Sequence, residues 1–318
     1  MDIYYRYSKY LKEKYGVKTY KLPVNIPVSC PNRDGFLSEG GCSFCGEMGA
    51  GFENYPASMS VKEQLEKNKT YIGNKYGAEK FIAYFQNFSN TYLPVEKLLK
   101  YLEEATEVND IAAIILSTRP DCINNVYLKK IKEKMEKKVP EINLGLELGL
   151  QTVNYHTLTR VNRGHTLGEV IDAILNAQKY NFEIGIHLIL NLPGDNMVDV
   201  IENAKIISAL KVDNVKLHAL YIREGTEFAE KYKKGEFDII PLEEYVERVI
   251  TFLEYLDPQI AIQRLLGRAP EEKTLFANWD KSWWKIYNII IEEMKKRKTY
   301  QGKKFEYLQG KALKKFIK

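Results

Sequence analysis

An α/β fold, with a parallel sheet curled into a partial barrel of six strand–helix units, is the architecture this sequence predicts. Three observations carry it. Strand-like and helix-like segments alternate regularly from residue 21 to residue 235. Several of the strands alternate polar and apolar residues strictly. The composition, 318 residues with 45% hydrophobic and 28% charged, is that of a globular protein with a substantial core. Regular alternation implies parallel strands joined by right-handed crossovers. A parallel strand covered by helices on both faces is apolar on both, so a polar face points to a cavity.

The chain opens with a Tyr-rich helix over 3–15, within an N-terminal extension of residues 1–20. The barrel occupies 21–235. Its strands are expected at 21–29, 81–85, 111–117, 142–151, 184–190 and 215–221. Helices are expected at 61–76, 95–107, 126–138, 167–180, 197–210 and 228–234. In the fourth strand Leu144, Leu146, Leu148 and Leu150 face one way, and Asn143, Gly145, Glu147, Gly149 and Gln151 the other. In the fifth, Glu183, Gly185 and His187 alternate with Ile184, Ile186 and Leu188. In the sixth, Lys216 and His218 alternate with Val215 and Leu217. A closed eight-fold barrel fills its lumen with branched apolar side chains; this one keeps a polar lumen suited to a ligand. Beyond Gly235 a small, mostly helical region spans 236–318, with helices at 241–256 and 283–298 around a short strand at 260–264.

Lys and Arg number 47 and Asp and Glu 42, a net +5. The balance is uneven. Residues 295–318 hold ten Lys/Arg and one acid, Glu306, so this tail carries +9 and the rest of the chain −4. Its cations, Lys295 to Lys318, interleave with Tyr300, Phe305, Tyr307 and Phe316, a mixture suited to phosphates and bases. No apolar run nears the roughly 18 residues that cross a bilayer. No short basic-then-apolar leader opens the chain, so a cytoplasmic location and no membrane partner are expected.

Four cysteines are present, Cys30, Cys42, Cys45 and Cys122. Three sit in one loop after the first strand, spaced C-x₁₁-C-x₂-C. Soft thiolates select zinc or iron–sulfur clusters. Structural zinc wants four protein ligands, and no second C-x-x-C or H-x₃₋₅-H pair exists. Three thiolates suit a cubane with one iron left open. Glycines at 35, 40, 41, 46, 49 and 51 let the backbone wrap closely around a cofactor.

C-x₁₁-C-x₂-C with Phe44 before the last Cys resembles the radical S-adenosylmethionine (SAM) superfamily. The long first gap is similar to the Elongator catalytic-subunit branch and its YhcC/YtqA-type, MnmL-like relatives. Phe85-Gln86, Ser117-Thr118-Arg119-Pro120-Asp121, Glu147-Leu148-Gly149-Leu150-Gln151, Arg160-Val161-Asn162-Arg163-Gly164-His165 and Asn191-Leu192-Pro193-Gly194 extend the resemblance over nearly the whole chain. It implies a [4Fe–4S] cluster on Cys30, Cys42 and Cys45, with SAM on the open iron. One electron from the cluster would cleave SAM to a 5′-deoxyadenosyl radical, which abstracts a substrate hydrogen. It also implies SAM contacts from Phe44 at the adenine, Gln86 at the amine, Gln151 and His187 at the ribose, and Arg163 at the carboxylate, where a guanidinium fork suits the task. Ser117 stands where relatives carry an acid. An electron donor such as flavodoxin or ferredoxin follows from the chemistry. Relatives of this branch act on the C5 side chain of wobble uridine in tRNA, trimming carboxymethylaminomethyl-uridine towards aminomethyl-uridine. The alternatives are a radical reaction on a small molecule or peptide, and a zinc-stabilised RNA-binding protein without catalysis.

Overall fold

In the computed structural model, which describes residues 2–46, 49, 54–270 and 272–316, the chain forms one sheet of seven parallel strands. In chain order these are β1 (Thr19–Val24), β2 (Lys80–Phe85), β3 (Ile111–Thr118), β4 (Asn143–Gln151), β5 (Glu183–Ile189), β6 (Asn214–His218) and, after a short β7 (Ile222–Arg223), β8 (Ala261–Arg264). The spatial order β1-β2-β3-β4-β5-β6-β8 makes a half-barrel. Six strands were expected. The seventh comes from the region beyond residue 235, where β8 pairs alongside β6. A small separate sheet joins β7 to β9 (Thr274–Phe276); neither strand is long enough to show a period.

The helices are α1 (Tyr7–Tyr15), α2 (Val61–Tyr76), α3 (Val95–Thr106), α4 (Asn125–Lys138), α5 (Tyr155–Arg160), α6 (Leu167–Gln178), α7 (Met197–Ala209), α8 (Glu227–Lys233), α9 (Leu242–Tyr255) and α10 (Trp283–Lys296). Their ends follow local chemistry. Ser60 caps α2, its Oγ accepting from Glu63 N at 3.2 Å. Capping boxes start α6 at Thr166/Glu169 and α7 at Asn196/Asp199. The convex face of the sheet, including Leu144, Leu146, Leu148, Ile184, Ile186 and Leu188, packs with Leu98, Leu128, Ile174, Ile207 and Val249 of the helices into the main core. Each such leucine or isoleucine contributes about 1.5–3 kcal/mol by leaving water.

Two departures bear on the site. The first strand ends at Val24 rather than running on to Ser29. The Gln64 side chain takes over the ladder there, accepting from Asn25 N at 2.8 Å and donating to Asn25 O at 2.8 Å. The N-terminal helix is shorter than expected and packs against the concave side. Tyr7 and Leu11 pack on Ile82, Tyr84, Ala113, Ile115 and Ala261, and Ile262 N donates to Tyr5 O at 2.8 Å. Helix α1 therefore closes the lower part of the half-barrel and leaves the lumen open at the C-terminal ends of the strands. Among the described residues no helix is long and apolar enough to cross a membrane.

Candidate active site

Cys30 opens a loop that lies over those strand ends. Cys30 O accepts from Arg33 N at 2.8 Å, and Cys42 O accepts from Cys45 N at 2.8 Å, which folds the C-x₂-C segment into a turn. Gly41 N donates to Asn32 O at 2.7 Å and draws the two halves of the loop together. Gly51 of the expected glycine set lies outside the described residues.

The Arg160–His165 motif, more than a hundred residues away in the chain, fastens this loop. Asn162 Nδ2 donates to Gly41 O at 2.9 Å and to Ser38 Oγ at 3.1 Å. Ser43 N donates to Val161 O at 3.0 Å. Gly164 has φ +74°, and a Cβ there would stand 2.4 Å from Asn32 Oδ1, so glycine is required on both counts. Arg163 is buried. Its Nε and Nη2 donate to Gly149 O at 3.2 and 2.7 Å, and its Nη1 lies 3.4 Å from Cys42 Sγ. A side chain on Gly149 would meet Arg163 Nη2 at 2.7 Å. His165 Nε2 stands 3.2 Å from Gly149 O; burial, then Arg163 and Arg119, hold its imidazole neutral.

One cavity is lined by Cys30, Cys42, Cys45, Phe44, Gln86, Gln151, Arg163 and His187 together. All eight residues singled out in the sequence therefore share a space. Phe44 packs beside Val161, Ile189 and Phe228. Gln86 Nε2 donates to Asn54 Oδ1 at 2.6 Å. Gln151 ends β4 at a register shift with φ +75°, a strained backbone that turns its side chain off the ladder. Ser117 also lines the cavity, but Cys122 is not among its lining residues.

The donors around the sulfurs fit a thiolate-bound anionic cluster, because N–H groups aimed at sulfur stabilise its negative charge. Besides Arg163, Asn32 Nδ2 lies 3.6 Å from Cys42 Sγ and Arg33 Nη1 3.8 Å from Cys45 Sγ. Arg119 lines the same cavity. It is buried and held by Asp121 through Nε at 2.8 Å and Nη2 at 2.6 Å, while its Nη1 has no partner. Burial, then Cys42, push the Cys45 thiol up to about 11. Among the described residues no three His, Cys, Asp or Glu side chains are gathered as a single metal ion requires. Thiols that each take a different iron stand further apart than the ligands of one zinc.

Deeper in the lumen lies a charged network around Glu147. Its carboxylate accepts from Tyr84 Oη at 2.6 Å and Gln263 Nε2 at 2.7 Å, and pairs with Lys21, with Lys216 at 3.4 Å and with His187 Nε2 at 2.6 Å. Lys21 and Lys216 hold the Glu147 carboxyl well below its usual range, against the upward push of burial. Burial, then Lys216, pull His187 down to about 4, so it is neutral at pH 7. His187 thus meets Glu147 through one nitrogen, whatever else it touches. The alternating pattern had marked Glu147, Lys216 and His218 as lumen-facing. Lys21, Tyr84, Gln263 and Arg264 were not singled out; a lone cation or phenol inside an otherwise apolar strand was the available signal.

Comparison with known proteins adds a lineage to this geometry. The model described as the radical SAM superfamily matches residues 24–207, and its C-terminal domain model matches residues 212–296. The chain belongs to the radical SAM superfamily. It is 31% identical over 306 residues to YtqA of Bacillus subtilis (strain 168), covering 96% of this chain and 94% of that one. It is 29% identical over 170 residues to a tRNA uridine(34) acetyltransferase of Methanocaldococcus jannaschii, covering 50% of this chain and 29% of that protein. The archaeal Methanocaldococcus infernus Elp3 shares the fold, with TM-score 0.68 at 19% identity, over 89% of this chain and 64% of that one. Radical SAM enzymes use a [4Fe–4S] cluster and SAM, so the non-catalytic zinc alternative gives way. The eight predicted residues fall within the radical SAM match at 24–207, whereas Lys216, His218 and Arg264 belong to the C-terminal match.

The basic tail of this radical SAM enzyme is not a free arm. Thr299 and Gln301 are buried, and Gln301 Nε2 donates to Asp257 O at 2.7 Å and Ile260 O at 2.9 Å. Tyr307 Oη donates to Tyr255 O at 2.6 Å. Arg297 pairs with Glu293 at 2.8 Å and with Glu247, Lys304 with Glu254, and Lys314 with Glu306 at 3.5 Å. Tyr300 and Phe316 are exposed. Lys318 lies outside the described residues.

Proposed function

We propose that this radical SAM enzyme modifies the C5 side chain of wobble uridine in tRNA, with the cluster on Cys30, Cys42 and Cys45 and SAM held by Phe44, Gln86, Gln151, Arg163 and His187. The observation that carries the cofactor reading is the convergence of three thiols and these five side chains on one cavity at the C-terminal ends of parallel strands. Cys30, Cys42 and Cys45 would hold the cluster, which together with SAM would supply one-electron radical chemistry towards a substrate C–H bond. The chain's own part is enclosure and orientation. A loop fastened by Asn162 and Ser43 roofs the cavity, α1 closes its floor, and buried donors stabilise the sulfurs. The tRNA half of the reading is supported by the similarity to a tRNA uridine(34) acetyltransferase.

Mass spectrometry of tRNA nucleosides from a deletion strain tests it. Carboxymethylaminomethyl-uridine is expected to accumulate and aminomethyl-uridine to fall; an unchanged nucleoside profile sinks the tRNA assignment. Arg163→Lys keeps the charge and loses the planar fork. It is expected to weaken SAM binding about tenfold in an anaerobic titration while iron content stays at wild-type level. Unchanged affinity would place Arg163 outside the SAM site.

The tail supplies the docking surface in this reading, together with a soluble electron donor that reduces the cluster. Among the described residues Lys295, Lys303, Lys311 and Lys315 have no ion-pair partner. Changing these four to Gln is expected to flatten the salt dependence of tRNA binding by about 0.7–0.9 log units for each phosphate that is no longer neutralised. SAM cleavage without tRNA is expected to be unaffected. An identical salt slope would remove the tail from the RNA surface.

A further inference from the structure

The lumen beyond the cofactor residues holds more positive charge than Glu147 can balance. In the strand register Gly149 aligns with His187, His187 with Lys216, and Lys216 with Arg264. At about 4.8 Å per strand step, Arg264 stands roughly 14 Å along the sheet from the glycine that touches Arg163. Lys216 and Arg264 line the same cavity as the thiols. Glu147 serves Lys21, Lys216 and His187 at once. Arg264 has no ion pair among the described residues. Its Nη2 meets His218 Nδ1 at 2.8 Å and its Nε donates to Leu217 O at 3.4 Å. The other lumen-facing carboxylate, Glu183, is taken by Lys14 at 2.7 Å and Asn214 at 2.9 Å.

We propose that Arg264 and Lys216 form an anion subsite in this cavity, across the sheet from Gly149, that seats a carboxylate carried by the substrate. Buried cations in excess of their counter-ions are costly unless a bound anion completes them. Burial pulls Lys216 down to about 7 against the upward pull of Glu147, with Arg264 and Lys21 adding to the fall; a bound carboxylate supplies the missing charge. Burial, ahead of Glu147, holds Tyr84 protonated. Its hydroxyl, which accepts from Lys216 Nζ at 3.1 Å, therefore adds no negative charge. Both cations are part-buried inside the cavity, a place that suits the tip of a single side chain better than a backbone phosphate flanked by sugars on both sides. The subsite rests on the radical SAM reading above and names the group by which the enzyme would select its substrate, with Arg264 as the specificity-determining residue.

Calorimetry on the cluster-loaded protein under anaerobic conditions, with SAM saturating so that its own carboxylate is already seated, tests this. The probes are 5-carboxymethylaminomethyluridine against 5-methylaminomethyluridine, and N-ethylglycine against N-methylethylamine. In each pair the carboxylate is expected to bind at least about tenfold tighter, and Arg264→Met to abolish that preference with a fall of about 10- to 100-fold. Arg264→Lys should restore part of it. The ligand-free Arg264→Met protein is expected to melt no lower than wild type, because an unbalanced cation has been removed; a merely structural arginine would lower the melting temperature. Lys216→Met serves as a second variant, with the same effect on the preference expected. Equal affinity within each pair overturns the subsite, as does a loss of SAM affinity in Arg264→Met without any effect on the probes. Inorganic phosphate binding more tightly than N-ethylglycine overturns the carboxylate assignment. Probe discrimination without tRNA binding supports the subsite and defeats the tRNA reading alone.

Discussion

Replacing Cys30, Cys42 or Cys45 by alanine is expected to abolish cluster assembly and SAM cleavage together. Each thiolate would hold a different iron, so the loss of one leaves an iron that the other two do not hold. Iron and acid-labile sulfide should drop to background in each variant, and 5′-deoxyadenosine formation with them. Cys122→Ala is the internal control. Its thiol is 3.9 Å from Asp121 Oδ1 and does not line the cavity that Cys30, Cys42 and Cys45 share. The Cys122→Ala protein should therefore assemble its cluster normally, and loss of iron from this variant alone would overturn the ligand assignment. The loop itself should survive the three substitutions, since backbone hydrogen bonds and the Asn162 side chain hold it.

The second large effect is expected at Glu147, a residue that never touches the sulfurs. Glu147→Ala leaves Lys21, Lys216 and His187 around a vacated carboxylate. Breaking a buried ion pair costs about 3–5 kcal/mol, a large part of the roughly 5–15 kcal/mol that holds a domain folded. The variant should unfold at clearly lower urea concentration; a midpoint within error of wild type would show the network to be dispensable. The same cluster makes the fold acid-sensitive. The folded carboxyl of Glu147 lies below its unfolded value, so its stabilisation is complete above about pH 4.3 and is lost as the pH falls further. His187 is lowered from 6.5 to about 4, so the unfolded chain binds more protons between these values. Stability should therefore fall as the pH drops from 6.5 to 4, by about 3 kcal/mol from this group. His187→Gln should remove the share of that slope that belongs to His187, while His165 and His218, also lowered by burial, keep theirs. A flat stability profile from pH 7 to 4 in the wild-type protein would contradict the buried neutral histidine.

Much of the architecture was legible because its signals are local. Helix α2 starts at Val61 and ends at Tyr76 as expected, since Ser60, Glu63 and Gly77 are neighbours in the chain. The polar face of β4 could be read as a lumen because strand geometry sends alternate side chains to opposite faces. What could not be read were the partners. Nothing local says that Gln64 takes over the ladder at Asn25, so the first strand was expected to run to Ser29. The short segment 260–264 could be proposed as a strand, but its place beside β6 depends on α9 carrying the chain back across the sheet. The tail showed its charge and concealed its fastening, because Glu247, Glu254 and Glu293 lie on helices and meet Arg297 and Lys304 only after folding.

The sequence by itself determined the chemistry: three thiols at C-x₁₁-C-x₂-C among glycines, an arginine motif at 160–165, and polar strand faces are covalent facts that restrict which cofactor the chain can hold. Only the tertiary structure decided how those pieces meet. It brought Asn162 to the cysteine loop, set Arg163 between Gly149 and Cys42, placed α1 beneath the lumen, and gathered Lys21, Glu147, Lys216, Gln263 and Arg264 from β1, β4, β6 and β8. Side-chain identity sets what a residue can bind, but Coulombic and hydrogen-bond partners are set by distance in space. Curling the sheet is what brings residues 21 and 263 within reach of one carboxylate.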